Sequence, residues 1–327
     1  SRLSMPIEDT RCLTVELPPA ADTESRRGDT NRHFGDVSSR YRSVRDLDLT
    51  AVGLVSDVLA SAAAQARPFR LLDVGTGTGR YLDMVSERLS STVVTDLCPI
   101  GLDRSPAMLG QARRLNGCAY PGASHLVGAV ETLPFYDASC DAITSFNAVH
   151  HFDLARFASE ASRVLAPSGL LVLYTRTAAQ NRETIWGRYF PEFAELETRL
   201  YTVSELHAAL DATHAFVSVR VQMIPWRVTT SLSRLLEQVT AYHYSTFRFY
   251  SPDRLRAARD TFQCRLRDVF GDCSRITFSN DHLLVVAQRA GRSANRQNVV
   301  RPLDYAGRLA INGQIFGRHD ATGDDHG

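Results

Sequence analysis

The stretch Asp73-Val74-Gly75-Thr76-Gly77-Thr78-Gly79 constrains this chain more than any other. It follows a short apolar run, residues 69–74, and precedes residues 80–89, which read as a helix. A strand, a glycine turn and a helix in that order put backbone N–H groups and a helix N-terminus at the carboxyl edge of a sheet, where such folds take ligands. Glycine serves there because a Cβ would hold the backbone away from the ligand. The spacing also discriminates between nucleotide sites. A dinucleotide fingerprint starting at Gly75 needs a small residue at position 80, and Arg80 stands there instead.

The pattern around the turn alternates. Residues 47–64 carry apolar side chains at helical spacing (Leu49, Val52, Val55, Val58, Leu59). The next strand is expected at 93–96 or at 100–103. Ser105 followed by Pro106 is a good helix start, an N-cap and then a proline at the first helical position. A strand at 142–146, a helix at 153–165, a turn at Pro167-Ser168-Gly169 and a strand at 170–174 follow. Strands alternating with helices predict an α/β fold, a mostly parallel sheet with helices on both faces. The second half differs. Residues 178–200 are aromatic-rich, 204–210 and the pairs 232–240 and 252–270 look helical, and 216–223 and 283–288 read as strands. A helical insert between the last two strands is the economical reading. A folded domain over 31–290 is expected, with a mobile leader at 1–30 and a polar, disordered tail at 291–327.

Composition removes several chemistries. All 37 basic residues are arginine, which excludes a Walker-A lysine, a Schiff-base lysine and a pyridoxal anchor. A formal charge of +1 creates no field to capture nucleic acid or an anionic membrane, and the arginines are spread among acids rather than gathered in a stripe. No apolar run approaches the roughly 18–20 residues that span a bilayer. The first residues carry no signal-peptide pattern. Six cysteines without a C-x-x-C pair fit a reducing, cytoplasmic setting better than a disulfide framework or a zinc site.

Residues 71–80, Leu-Leu-Asp-Val-Gly-Thr-Gly-Thr-Gly-Arg, resemble motif I of the class I S-adenosylmethionine-dependent methyltransferases, in particular the branch similar to the ubiquinone/menaquinone C-methyltransferases. The likeness continues at Gly101-Leu102-Asp103-Arg104-Ser105-Pro106, at Val130-Glu131-Thr132-Leu133-Pro134-Phe135, at Asn147-Ala148-Val149-His150-His151-Phe152 and at Arg163-Val164-Leu165-Ala166-Pro167-Ser168-Gly169-Leu170. Five ordered matches cover 71–177, the expected cofactor-binding core. The resemblance implies a Rossmann-like, doubly wound sheet of seven strands and S-adenosyl-L-methionine as cofactor. It implies that Gly75, Thr76 and Gly77 approach the methionine moiety, that Asp73 holds their loop, and that Arg104 and Asn147 border the cofactor. Asp103 would accept both ribose hydroxyls, a task suited to a carboxylate, which only accepts. Asp96 competes for that role, but the Ser-Pro helix start directly after Arg104 favours Asp103. Relatives commonly carry an acid where Ala129 stands, so adenine would rest on stacking and on backbone groups near Ala129 and Val130.

Methyl transfer from a sulfonium needs alignment and dryness, and a base only where the acceptor must lose a proton. His150 is the candidate base, with His151 beside it as an acceptor-side residue; a structural role competes for both. Adjacent histidines leaving a strand are expected to diverge, which disfavours a metal site with Asp153. Tyr41 is a lid candidate by resemblance. Trp186, Tyr189, Phe190 and Trp226 could wall an acceptor pocket within two covering inserts, 178–200 and 226–272. The expected partner is a small-molecule methyl acceptor, with neither nucleic acid nor membrane, in an oligomeric state the sequence leaves open. A non-catalytic S-adenosylmethionine-binding protein is the alternative, and a nicotinamide-dependent oxidoreductase, opposed by Arg80, a more distant one.

Overall fold

The computed structural model describes residues 47–64, 66, 68–92, 96–115, 122–291, 310–311 and 314–315. The leader expected at 1–30 and the lid candidate Tyr41 lie outside them, as does most of the expected tail. Helix α1 (Leu49–Ala63) opens the fold, capped by Asp48, whose Oδ1 accepts from the N–H groups of Thr50 and Ala51. Then come β1 (Phe69–Val74), α2 (Arg80–Thr92), β2 (Leu97–Asp103), α3 (Pro106–Leu115), β3 (Ser124–Val127), β4 (Cys140–Phe146), α4 (Leu154–Val164) and β5 (Leu165–Thr175). Three short helices follow, α5 (Ala178–Glu183), α6 (Ile185–Tyr189) and α7 (Phe193–Leu196), then α8 (Val203–Asp211). The chain continues through β6 (Phe216–Ile224), β7 (Arg227–Thr230), α9 (Leu232–Thr240), α10 (Pro252–Phe270), β8 (Ile276–Ser279) and β9 (His282–Arg289). Among the described residues no helix is long and apolar enough to cross a membrane.

Seven strands form one sheet in the order β3-β2-β1-β4-β5-β9-β6. The first five run parallel, and β9 runs antiparallel to both β5 and β6. The two-residue period of the strands assigns side chains to two faces. Phe69 and Leu71 join one buried cluster with α1 and α2, while Leu72 and Val74 join another with α4 and α8. The same alternation divides β5, with Leu170, Val172 and Tyr174 on the first face and Leu171 and Leu173 on the second. Helices thus cover both faces, as the α/β reading requires.

The order of elements follows the sequence reading, with three refinements. The second strand is a single run, Leu97–Asp103, and includes Pro99. A proline is tolerated because β3 pairs with β2 only from Ile100 onward, leaving no partner on that side at Pro99. The turn at Pro167-Ser168-Gly169 does not interrupt the chain between helix and strand; it is absorbed into β5 as a bulge. Cys140 pairs with Leu165 and Ala142 with Leu170, so the extra residues are looped out around Ser168, whose φ is 66°. The insert between β6 and β9 is mainly helical but also contains an antiparallel pair, β7 with β8. Its aromatic residues build a third core with α6, α7, α9 and α10, in which Trp186 stacks on Phe262 at 5.1 Å between ring centroids.

Candidate active site

The carboxyl edge of the parallel strands carries the glycine turn. Gly75 and Thr76 donate their N–H groups to the carbonyl of Leu102, at 2.8 and 3.1 Å, so the turn is laced to the end of β2. Gly75 has φ 68°, and a Cβ there would stand 2.5 Å from the Ala148 Cβ; Gly77 has φ 58°. The Gly77 N–H donates to Asp103 Oδ2 at 2.8 Å, and the Ser105 N–H donates to Oδ1 at the same distance. These bonds use about half the acceptor capacity of a carboxylate, leaving a lone pair on each oxygen for a vicinal diol. Burial raises the Asp103 carboxyl above the usual range, against the pull of the Ser105 and Gly77 donors.

Asp96 stands at the other end of β2. Its carbonyl receives the Phe69 N–H at the start of β1, roughly 20 Å of strand away from Asp103. The six residues separating the two acids therefore all belong to the strand. Asp73 is 2% exposed and accepts from the Thr144 hydroxyl at 2.8 Å. Burial pushes it up to about 7, against the nearby Thr76 and Thr144 hydroxyls.

Beyond Asp103 the chain returns alongside. The Gly128 N–H donates to the Asp103 carbonyl at 3.0 Å, and Ala129 begins a tight turn over Val130–Thr132. Arg104 is exposed and pairs with Glu131 at 3.1 Å, tying that turn to the end of β2. Asp103, Arg104, Ala129 and Val130 thus sit together at the rim, next to Gly77 but outside the lining of the main cavity.

That cavity opens from the glycine turn across the ends of β4, β5 and β9, with an empty volume of ≈ 1290 Å³ that includes its mouth. Asp73, Gly75, Thr76, Gly77, Asn147, His150, Trp186 and Trp226 all line it. Asn147 leaves β4 with φ 51° and donates its N–H to the Tyr174 carbonyl at 2.7 Å. His150 and His151 do not diverge. Both lie in the short turn Val149–His151, which keeps their rings 4.1 Å apart, and His151 faces Arg199, 3.5 Å from its Nη1. Tyr189 and Phe190 stand away from the cavity. Tyr189 meets the ring of Phe270 edge-on, and Phe190 is 2% exposed among Phe247 and Phe262.

The far bank is polar, a feature the sequence reading missed. Glu197 and Arg199 form an ion pair whose side chains are only 5% and 7% exposed, and Arg199 donates to Ser245 at 2.9 Å. Burial opposes ionisation of Glu197, yet the Arg199 guanidinium and the Thr246 hydroxyl outweigh it and hold the carboxyl below its usual range. Arg176, directly after β5, donates to Asn280 Oδ1 at 2.6 Å and lies 3.2 Å from His282 Nε2. Because β9 runs against its neighbours, its first residue, His282, reaches the edge where β5 ends. The available signal was a charged residue directly after an apolar strand, Arg176, and a polar pair opening the last strand, Asn280 and His282.

Comparison with known proteins agrees with this geometry. A family model described as a methyltransferase domain matches residues 72–173. The demethylmenaquinone methyltransferase of Deinococcus radiodurans is 31% identical over 166 residues, covering 49% of this chain and 66% of that protein. A ubiquinone/menaquinone biosynthesis C-methyltransferase of Methylobacterium nodulans is 33% identical over 155 residues, covering 45% and 58%. The chain therefore spans less than two thirds of the length of these curated relatives. A crystal structure from Anabaena variabilis, titled a putative methyltransferase from an antibiotic biosynthesis pathway, shares the fold with a TM-score of 0.54 at 20% identity, covering 75% of this chain and 98% of that one. Residues 72–173, at the centre of the seven-stranded sheet, are thus similar to the methyltransferase domain and to methyltransferases of quinone biosynthesis.

Proposed function

We propose that this protein transfers a methyl group from S-adenosyl-L-methionine to a small molecule bound in the same cavity. The observation that carries the reading is the Asp103 carboxylate held against the Gly77 N–H, beside a turn whose glycines leave room for a ligand along its backbone. Asp103 would bind the ribose hydroxyls, the turn at Gly75–Gly77 the methionine portion, and the backbone at Ala129 and Val130 the adenine. S-adenosyl-L-methionine supplies a methyl group already activated by its sulfonium. The chain's own work is to align an acceptor with it and to keep water out, and the enclosed bank formed by Trp186, Trp226 and the insert does both. His150, which lines the cavity, would take the acceptor's proton where one must leave. His151 and Tyr189 would act through packing behind the cavity. Cys140, Cys264 and Cys273 form no disulfide, which suits action in the cytoplasm. An acceptor of small size, neither nucleic acid nor membrane lipid, matches the enclosed cavity and the balanced charge.

Titration calorimetry with S-adenosylhomocysteine tests the donor site, and micromolar or tighter binding is expected. Incubation with methyl-labelled donor and a small-molecule extract should then yield a product heavier by one CH₂. Absence of S-adenosylhomocysteine binding would remove the reading, while binding without turnover on any acceptor pool would favour a non-catalytic carrier.

A further inference from the structure

Two arginines line the cavity. Arg80 stands at the glycine turn, and Arg176 stands two strands away, about 10 Å across the sheet. Arg176 is 6% exposed, and among the described residues no carboxylate lies within ion-pairing distance of it. The groups that hold it are neutral. Asn280 Oδ1 accepts from Nη2, His282 Nε2 faces the same nitrogen, and the Tyr244 hydroxyl lies 3.5 Å from Nη1. In the neutral tautomer protonated at Nδ1, His282 Nε2 accepts from that guanidinium nitrogen. The buried Nε has no partner. His282 is itself fixed, stacked on Tyr174 with 4.7 Å between centroids. A buried cation oriented by neutral groups and lacking a counter-ion is costly unless an anion arrives to complete it.

We propose that Arg176 receives an anionic oxygen group of the methyl acceptor, a carboxylate or a phosphate, and that the acceptor is therefore an organic anion with a flat or apolar body against Trp186 and Trp226. The inference rests on the reading of this cavity as a donor and acceptor site. The donor's own carboxylate has a nearer cation in Arg80, beside the turn. A guanidinium pairs with carboxylate or phosphate through two parallel N–H···O bonds, which fixes the direction in which the acceptor enters.

The test uses the full chain and three probes of one shape: 2-naphthoate, 2-naphthyl phosphate and the neutral 2-naphthamide. Titration calorimetry should show at least one anion binding tenfold or more tightly than the amide, and which anion wins separates carboxylate from phosphate. In Arg176→Gln that preference should fall below threefold, and in Arg176→Lys most of it should remain. S-adenosylhomocysteine affinity should stay within threefold of wild type in both variants. Equal binding of amide and anions, or a preference that survives Arg176→Gln, overturns the proposal. So does a tenfold loss of S-adenosylhomocysteine affinity in Arg176→Gln, which would assign Arg176 to the donor. Should none of the three probes bind, the ligand-free melting temperature of Arg176→Met decides. A rise marks relief of an uncompensated charge and supports the proposal; a fall marks a structural arginine and overturns it. If wild type fails to bind S-adenosylhomocysteine while the anion preference depends on Arg176, the methyl-transfer reading falls and the anion site stands.

Discussion

On the side of the glycine turn, Gly77 and Asp103 lie 26 positions apart and meet through a backbone N–H group. Across the cavity, Arg176 and His282 lie 106 positions apart and meet only through side chains. The first bank is made of turn geometry, which tolerates few residues, and so it carries a recognisable pattern. The second is made of polar side chains gathered from the end of β5, the insert and the start of β9, and any residue of suitable length and charge can occupy such a place.

Four experiments bear on that division. The largest effect is expected on the far bank. Glu197→Gln leaves the Arg199 charge buried without its partner, a loss of about 3–5 kcal/mol and a fall in melting temperature on the order of 10 °C, read by calorimetry. S-adenosylhomocysteine affinity of the folded variant should stay within about threefold; a collapse would show that the two banks are one unit. Gly75→Ala comes next. Its Cβ would stand 2.5 Å from Ala148 on a φ of 68°, costing about 3 kcal/mol, so S-adenosylhomocysteine binding should weaken roughly a hundredfold.

Asp103→Asn should weaken the same binding by about thirtyfold, near 2 kcal/mol. An amide accepts at only one of its two positions, so either the Gly77 or the Ser105 N–H would face another donor. The fourth experiment reads a pH dependence. The Asp73 carboxyl is raised from 3.8 to about 7, so between those values the folded protein holds a proton that the unfolded chain has released. Stability from this group is therefore present at acid pH and lost as pH rises toward 7. Asp73→Asn should flatten that part of the profile in urea unfolding followed from pH 4 to 7.

Six of the seven strands, and the helices between them, were legible because periods of 2 and 3.6 residues are local properties of the chain; the short β3, Ser124–Val127, left no such mark, and a count of seven came from the family resemblance. So were Gly75, Gly77 and Asp103, since a positive φ and a Ser-Pro helix start leave local marks. The span of β2 was not: a strand was expected at 93–96 or at 100–103, and the structure runs one strand, Leu97–Asp103, through Pro99, where β3 has not yet begun to pair. His151 and Tyr189 were read as facing an acceptor; the structure turns them toward Arg199 and Phe270. Aromatic composition marks apolar surface without saying which core receives it.

By itself, then, the order of residues marked the layered sheet, the turn at its edge and the carboxylate beside that turn, because each leaves a local pattern in the chain even where its contacts are distant. Only the folded arrangement decided that Arg176, Asn280 and His282 share one wall, because the reversed direction of β9 brings its first residues to the end of β5. It also decided that the arginine is held there by neutral groups, since the cost of a buried charge depends on everything around it in space and on nothing adjacent to it in the chain.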